Sequence, residues 1–155
     1  MEKTQATPDA ETRHILRHLL ATISFRGGLC LRDTPDGFAD FQAGAGVRPP
    51  IELVRHMTGL MEFIGRILRG GERVALPALP WPQELDRLSE AMAALDGVLA
   101  TVPLEAASVD AVIQGPMADA LTHVGQLATL RRLAGSPIAG ANYPRAPIVD
   151  GQVRL

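Results

Sequence analysis

Four apolar stripes at helical spacing, each cut off by prolines or glycines, constrain this chain more than any other feature. At about 100° per residue, Leu53, Val54, Met57, Leu60, Met61, Ile64, Ile67 and Leu68 fall on one broad face. Pro49-Pro50 opens that segment and Gly70-Gly71 stops it, which predicts a helix over 49–69. Ile15, Leu16, Leu19, Leu20, Ile23 and Cys30 predict an earlier helix over 8–33, with Thr7 as N-cap, Pro8 at its first position and Asp9 and Glu11 in its first turn. Gly27-Gly28 interrupts this stripe and reads as a close-packing point or a kink, not as its end. Leu85, Leu88, Met92, Leu95 and Leu99 predict a third helix over 82–101. Met117, Ala120, Leu121, Val124, Leu127 and Leu130 predict a fourth over 116–134, opened by Gly115-Pro116 and closed by Gly135.

The segments between are expected to be irregular. Thr34-Pro35-Asp36-Gly37 is a turn signature, and the loop it begins is long enough for the second helix to cross over rather than form a hairpin. Residues 74–81 and 102–115 read as loops, and the proline-bearing tail 136–155 as a strap across the helices. Strand-like alternation never exceeds a few residues, and no internal repeat is present. Aromatic residues are 4% of the chain, so the core must be built from Leu, Ile, Val, Met and Ala, a mix that suits helices better than sheets. Helices of this kind bury their stripes only against one another, so the expected fold is an all-α four-helix bundle, one domain over 1–155.

A formal charge of −2 carries no basic footprint for nucleic acid. The longest apolar segment, around Leu53 to Leu68, contains Arg55, His56, Glu62 and Arg66, whereas a membrane span needs about 20 mostly apolar residues. Cys30 is the single cysteine, and the polar first twelve residues lack the apolar run of a signal peptide. A soluble, cytoplasmic protein is expected. Modest charge density leaves room for an apolar patch, and with it a homodimer.

Two of the four histidines occupy unexpected positions. His56 falls inside the apolar arc of the second helix, and His123 inside that of the fourth. Asp119 stands one turn before His123, so both project from one edge, with Cβ atoms about 6 Å apart. A carboxylate beside a buried stripe is costly unless paired or metal-bound. Two imidazoles and a carboxylate match the ligand set of catalytic metal sites that leave positions open for water or substrate. The alternative is a pair of hydrogen-bonded core histidines, with Asp119 solvated near a helix N-terminus where the macrodipole favours it. His14 and His18 form a rival pair on the more polar face of the first helix, where solvated surface histidines are the simpler account. Cys30 reads as an inert buried thiol. Gln126, about one turn past His123, is placed either to orient a ligand or to make an ordinary interhelical hydrogen bond.

The stretch Asp119-Ala-Leu-Thr-His123-Val-Gly-Gln126-Leu, followed by Leu130-Arg-Arg-Leu-Ala-Gly135, resembles the last-helix signature of the DinB-like (damage-inducible) four-helix bundles. Arg48-Pro-Pro-Ile-Glu-Leu-Val-Arg-His56 is similar to that family's second-helix motif, and Ala141-Asn-Tyr143 with Ala146 and Ile148 resembles the tail of one subgroup. The resemblance implies a divalent metal ion, zinc or nickel first and iron or manganese next, held by His56, Asp119 and His123. Asp119 replaces the first histidine of the usual H-x-x-x-H pair, and Gly59 stands where some members carry an acid. For some relatives it further implies a metal- and thiol-dependent transferase or isomerase that uses a low-molecular-weight thiol. The competing expectations are a non-enzymatic metal-binding or stress-response module and a plain interaction bundle. Asn142 and Tyr143 are expected to anchor the tail.

Overall fold

The computed structural model describes residues 8–155; Thr7, the expected N-cap, lies outside the described residues. Helices α1 (Pro8–Leu31), α2 (Pro50–Arg69) and α3 (Trp81–Thr101) are followed by a short α4 (Ala106–Val112) and by α5 (Ala118–Leu133), and no strand occurs among the described residues. The three long expected helices before the last are thus present within two residues of their expected bounds. Gly70 ends α2 as its sequence suggests: its backbone enters the left-handed region at φ 77°, and its N–H returns to the Arg66 carbonyl at 2.8 Å.

The segment 102–115 departs from expectation. Most of it is helical, and a π turn (Ile113–Met117) joins α4 to α5 with right-handed helical backbone at Val112, Ile113, Met117 and Ala118. Pro116 explains both the structure and the misreading. In a regular α-helix its ring would meet the Val112 carbonyl, and it has no N–H to donate. A widened turn removes the clash without breaking the rod. Gly115-Pro116 therefore sits inside a helix instead of starting one.

Helices α1 and α2 each pack against both α3 and α5, and so sit diagonally across from each other. The crossover implied by the long 34–48 loop is realised. The core is aliphatic: Leu16, Leu20, Ile23, Met57, Ile64, Leu88, Met92, Leu99 and Met117 are fully buried. Ile15, read as part of the first stripe, is instead 59% exposed, because α1 turns Leu16 and Leu20 to the centre. The helix runs straight through Gly27-Gly28, and an added Cβ at Gly27 would meet Leu155 at 3.5 Å and Val124 at 3.9 Å, ordinary van der Waals contacts. The tail crosses the helices as a strap. Val153 is buried, the Leu155 N–H donates to Ser89 Oγ, and Arg26 stacks on the Tyr143 ring at 3.8 Å.

Buried polar contacts tie the helices together. Arg17 on α1 makes a two-pronged pair with Asp96 on α3, at 2.9 and 2.8 Å. Fully buried Glu84 on α3 accepts from Arg55 of α2 at 2.7 Å, from the Leu79 N–H at 3.0 Å, and from Arg87. Arg131 on α5 is buried and donates to the carbonyls of Cys30, Arg32 and Asp33, at 3.1, 2.9 and 3.3 Å. It also holds Ser136 at the start of the tail, through the carbonyl at 2.7 Å and Oγ at 3.0 Å. Helix α1 stops at Leu31, short of the expected 33, where this guanidinium takes up its terminal carbonyls.

Arg131→Lys keeps the charge but loses the planar fork, and is expected to cost about 2–3 kcal/mol in urea unfolding, with Arg131→Met no better. A second expectation concerns acid. Burial pushes the Glu84 carboxyl up, but the Arg55 hydrogen bond, the Leu79 N–H and Arg87 outweigh it and hold it below its ordinary value. A depressed folded-state pKa contributes stability above the unfolded value of about 4.3 that is lost as pH falls through the lower folded value. The stability gap between the wild type and Glu84→Gln, measured by denaturant titration, should therefore be full at pH 6 and shrink steadily below about pH 4.

Candidate metal centre

Side-by-side packing of α2 and α5 sets His56 against Asp119 and His123. The Asp119 carboxylate faces both rings, with Oδ2 at 3.2 Å from His56 Nε2 and Oδ1 at 3.2 Å from His123 Nε2. The two rings meet edge to face, centroids 4.8 Å apart at 87°. One ligand atom from each residue lies within 4.8 Å of the other two. Atoms bound to one tetrahedral ion at about 2.1 Å lie roughly 3.4 Å apart, so the three groups would draw together to share one.

Protonation makes the fit more specific. His123 Nδ1 lies 3.0 Å from Gln126 Oε1, which can only accept, so Nδ1 carries a proton and a neutral ring would keep at Nε2 the lone pair that a metal requires. That Nε2 is buried and has no hydrogen-bond partner among the described residues. Its nearest polar neighbour is a carboxylate oxygen, itself only an acceptor. Two acceptors at this distance repel unless a proton or a metal cation lies between them. Burial pushes the Asp119 carboxyl up, but the His56 hydrogen bond, the charges of His123 and His56, and the Thr122 hydroxyl hold it below its ordinary value. It therefore stays anionic, as a ligand must.

The continuous helical rod removes one alternative for Asp119. The rod begins at Ala106, thirteen residues earlier, whereas the macrodipole acts within the first turn. Proximity to a helix N-terminus does not account for this carboxylate. The centre is open on one side: the side chains of His56 and Asp119 are 38% and 44% exposed, that of His123 only 9%. Outside it lies a pocket of about 970 Å³, walled by Val47, Leu53, Leu130 and Leu133.

The other sequence candidates have different roles. His14 and His18 are exposed and both turn to Asp150 of the tail, at 2.8 and 3.2 Å. Among the described residues, only the His56–Asp119–His123 group has three ligand atoms that converge. The Asp150 pairing escaped the sequence reading because 132 residues separate it from His18. Burial raises the Asp150 carboxyl, but the hydrogen bonds and charges of the two histidines bring it below its ordinary value. Burial pushes the Cys30 thiol up more than Arg131 lowers it, which leaves the thiol unreactive. Gln126 pairs with His123 on its own helix and, among the described residues, makes no hydrogen bond to another helix. Tyr143 anchors the tail beneath Arg26. Thr122, which the sequence did not single out, donates from Oγ1 to the Asp119 carbonyl at 2.7 Å and lies 3.4 Å from its Oδ1. Among the described residues, no helix is long and apolar enough to cross a membrane.

No family model matches the chain, and neither does any curated protein or solved structure.

Metal titration of chelator-stripped, tag-free protein tests the centre. One equivalent of zinc should bind and raise the melting temperature of the wild type but not of His56→Ala or His123→Ala, with helical circular dichroism retained in all three. Gln126→Leu frees the His123 tautomer and should weaken zinc binding about 10–100-fold without abolishing it.

Proposed function

We propose that this chain is a divalent-metal-binding protein of the DinB-like kind, and that it acts as a metal- and thiol-dependent transferase. The observation that carries this reading is the buried His123 Nε2, without a hydrogen bond among the described residues and turned to the Asp119 carboxylate beside His56, in a group of three residues that line a pocket. The helix order, the two motif segments and the tail support the family. The ligand set and open face support an exchangeable position in preference to a closed structural site.

A divalent ion in such a site lowers the pKa of a coordinated thiol, so that the thiolate is present at neutral pH. The chain's own residues supply the rest. His56, Asp119 and His123 hold the position, Gln126 fixes the His123 tautomer, and Thr122 steadies the Asp119 backbone and carboxylate. Val47, Leu53, Leu130 and Leu133 offer an apolar wall against which an electrophilic partner rests. No side chain is assigned as a general base; a thiolate attacking a carbon electrophile does not require one. Zinc or nickel suits two imidazoles and a carboxylate, and iron or manganese suits them next. A cytoplasmic setting fits the free, buried Cys30. A homodimer belongs to the same reading, supported by exposed Ile15 and Ile113, and light scattering at micromolar concentration checks it.

Cobalt(II) loading separates the outcomes. Adding a low-molecular-weight thiol such as cysteine or glutathione to the cobalt protein should produce a sulfur-to-cobalt charge-transfer band, absent in His123→Ala. A cobalt spectrum that no thiol perturbs would sink the thiol-dependent reading and leave a non-enzymatic metal-binding bundle.

A further inference from the structure

A second cleft, of about 610 Å³, shares Arg48 and His56 with the apolar pocket, and its lining includes four arginines, Arg48, Arg55, Arg66 and Arg73. Two glutamates, Glu52 and Glu62, share that lining, so the arginines are in excess in a chain whose formal charge is −2. Among the described residues, the guanidinium groups of Arg48, Arg66 and Arg73 have no hydrogen-bond or ion-pair partner, and Arg66 lies over the Phe63 ring at 5.4 Å. Arg55 commits only its Nε, to Glu84, leaving its other donors uncommitted.

The chain sets these groups around one hollow. Arg48 precedes α2, Arg55 and Arg66 stand on it, and Arg73 returns on the loop that follows. Gly59, one turn past His56, leaves the floor bare: a Cβ there would meet only Leu76, at an ordinary 3.6 Å. Arg48 and His56 line both this cleft and the apolar pocket, so a single small molecule in the cleft can reach the metal centre.

We propose that the arginine cleft is an anchoring subsite for the anionic end, a carboxylate or a phosphate, of the small molecule whose other end reaches the metal centre. Guanidinium forks match both anions in a two-pronged geometry, and their cost of desolvation is low at a half-open surface. The location of this subsite gains its meaning from the metal reading above, but capture of the anion needs no ion.

The test uses succinate and inorganic phosphate as probes, titrated by calorimetry into chelator-stripped wild type, Arg48→Gln, Arg73→Gln and Gly59→Glu, each checked for native circular dichroism. Both arginines are exposed and make no hydrogen bond or ion pair among the described residues, so both variants should fold. Expected is binding to the metal-free wild type that weakens with added sodium chloride, falls about tenfold in each arginine variant, and is lost in Gly59→Glu. Gly59→Gln, which fills the floor without charge, should retain more affinity than Gly59→Glu. Whichever probe binds more tightly identifies the carboxylate or the phosphate as the preferred end. If the anions bind only zinc-loaded protein and the arginine variants bind them equally well, they sit on the ion; the cleft assignment is overturned and the metal centre stands. No binding in either form likewise overturns it. If zinc fails to bind while the anions bind and respond to the arginine variants, the metal reading falls and the anion site stands by itself.

Discussion

Everything else in this structure leans on the buried guanidinium of Arg131. An aliphatic core gains its free energy from area, and area is nearly indifferent to a small slide or rotation of one helix on another. A planar fork spending its donors on three carbonyls at and just past the end of α1, and on Ser136, is not indifferent. A slip of α5 would strand those donors away from water, at a cost that aliphatic packing alone would not impose. The α1–α3 seam has its counterpart in Arg17 and Asp96, and the α2–α3 seam in Arg55 and Glu84. The fourth seam, α2 against α5, is different: its polar contact is His56, Asp119 and His123.

That difference is electrostatic. In the three arginine seams, each carboxylate or carbonyl acceptor faces a guanidinium donor. In the fourth, two imidazoles share one carboxylate, and the buried His123 Nε2 faces it with no hydrogen bond among the described residues. A group so placed is a poor structural clasp and a good ligand set.

Much of this was legible in the sequence. The stripes and their Pro/Gly boundaries located the helices, because side-chain period and backbone punctuation are local properties. His56, Asp119 and His123 could be named because polar groups within an apolar arc stand out on a helical projection. The arginine seams could not be. Arg17, Arg55 and Arg131 look like members of solvated faces until tertiary structure supplies Asp96, Glu84 and the carbonyls of α1. Glu84 and Asp96 were invisible for the same reason, as was Asp150, whose partners lie at the other end of the chain. Pro116 was misread because proline at a first helical turn and proline in a widened turn share one local signature, glycine before and an apolar run after.

The π turn at Ile113–Met117 holds one residue more than an α-helical path would need. In a helix, one residue is a phase of about 100° about the axis. Residues before the turn and residues after it are therefore out of step, and the face that α5 presents to α2 is set by how many residues the turn contains. A lineage could gain or lose this centre by inserting or deleting a single codon near Pro116, with Asp119 and His123 themselves untouched.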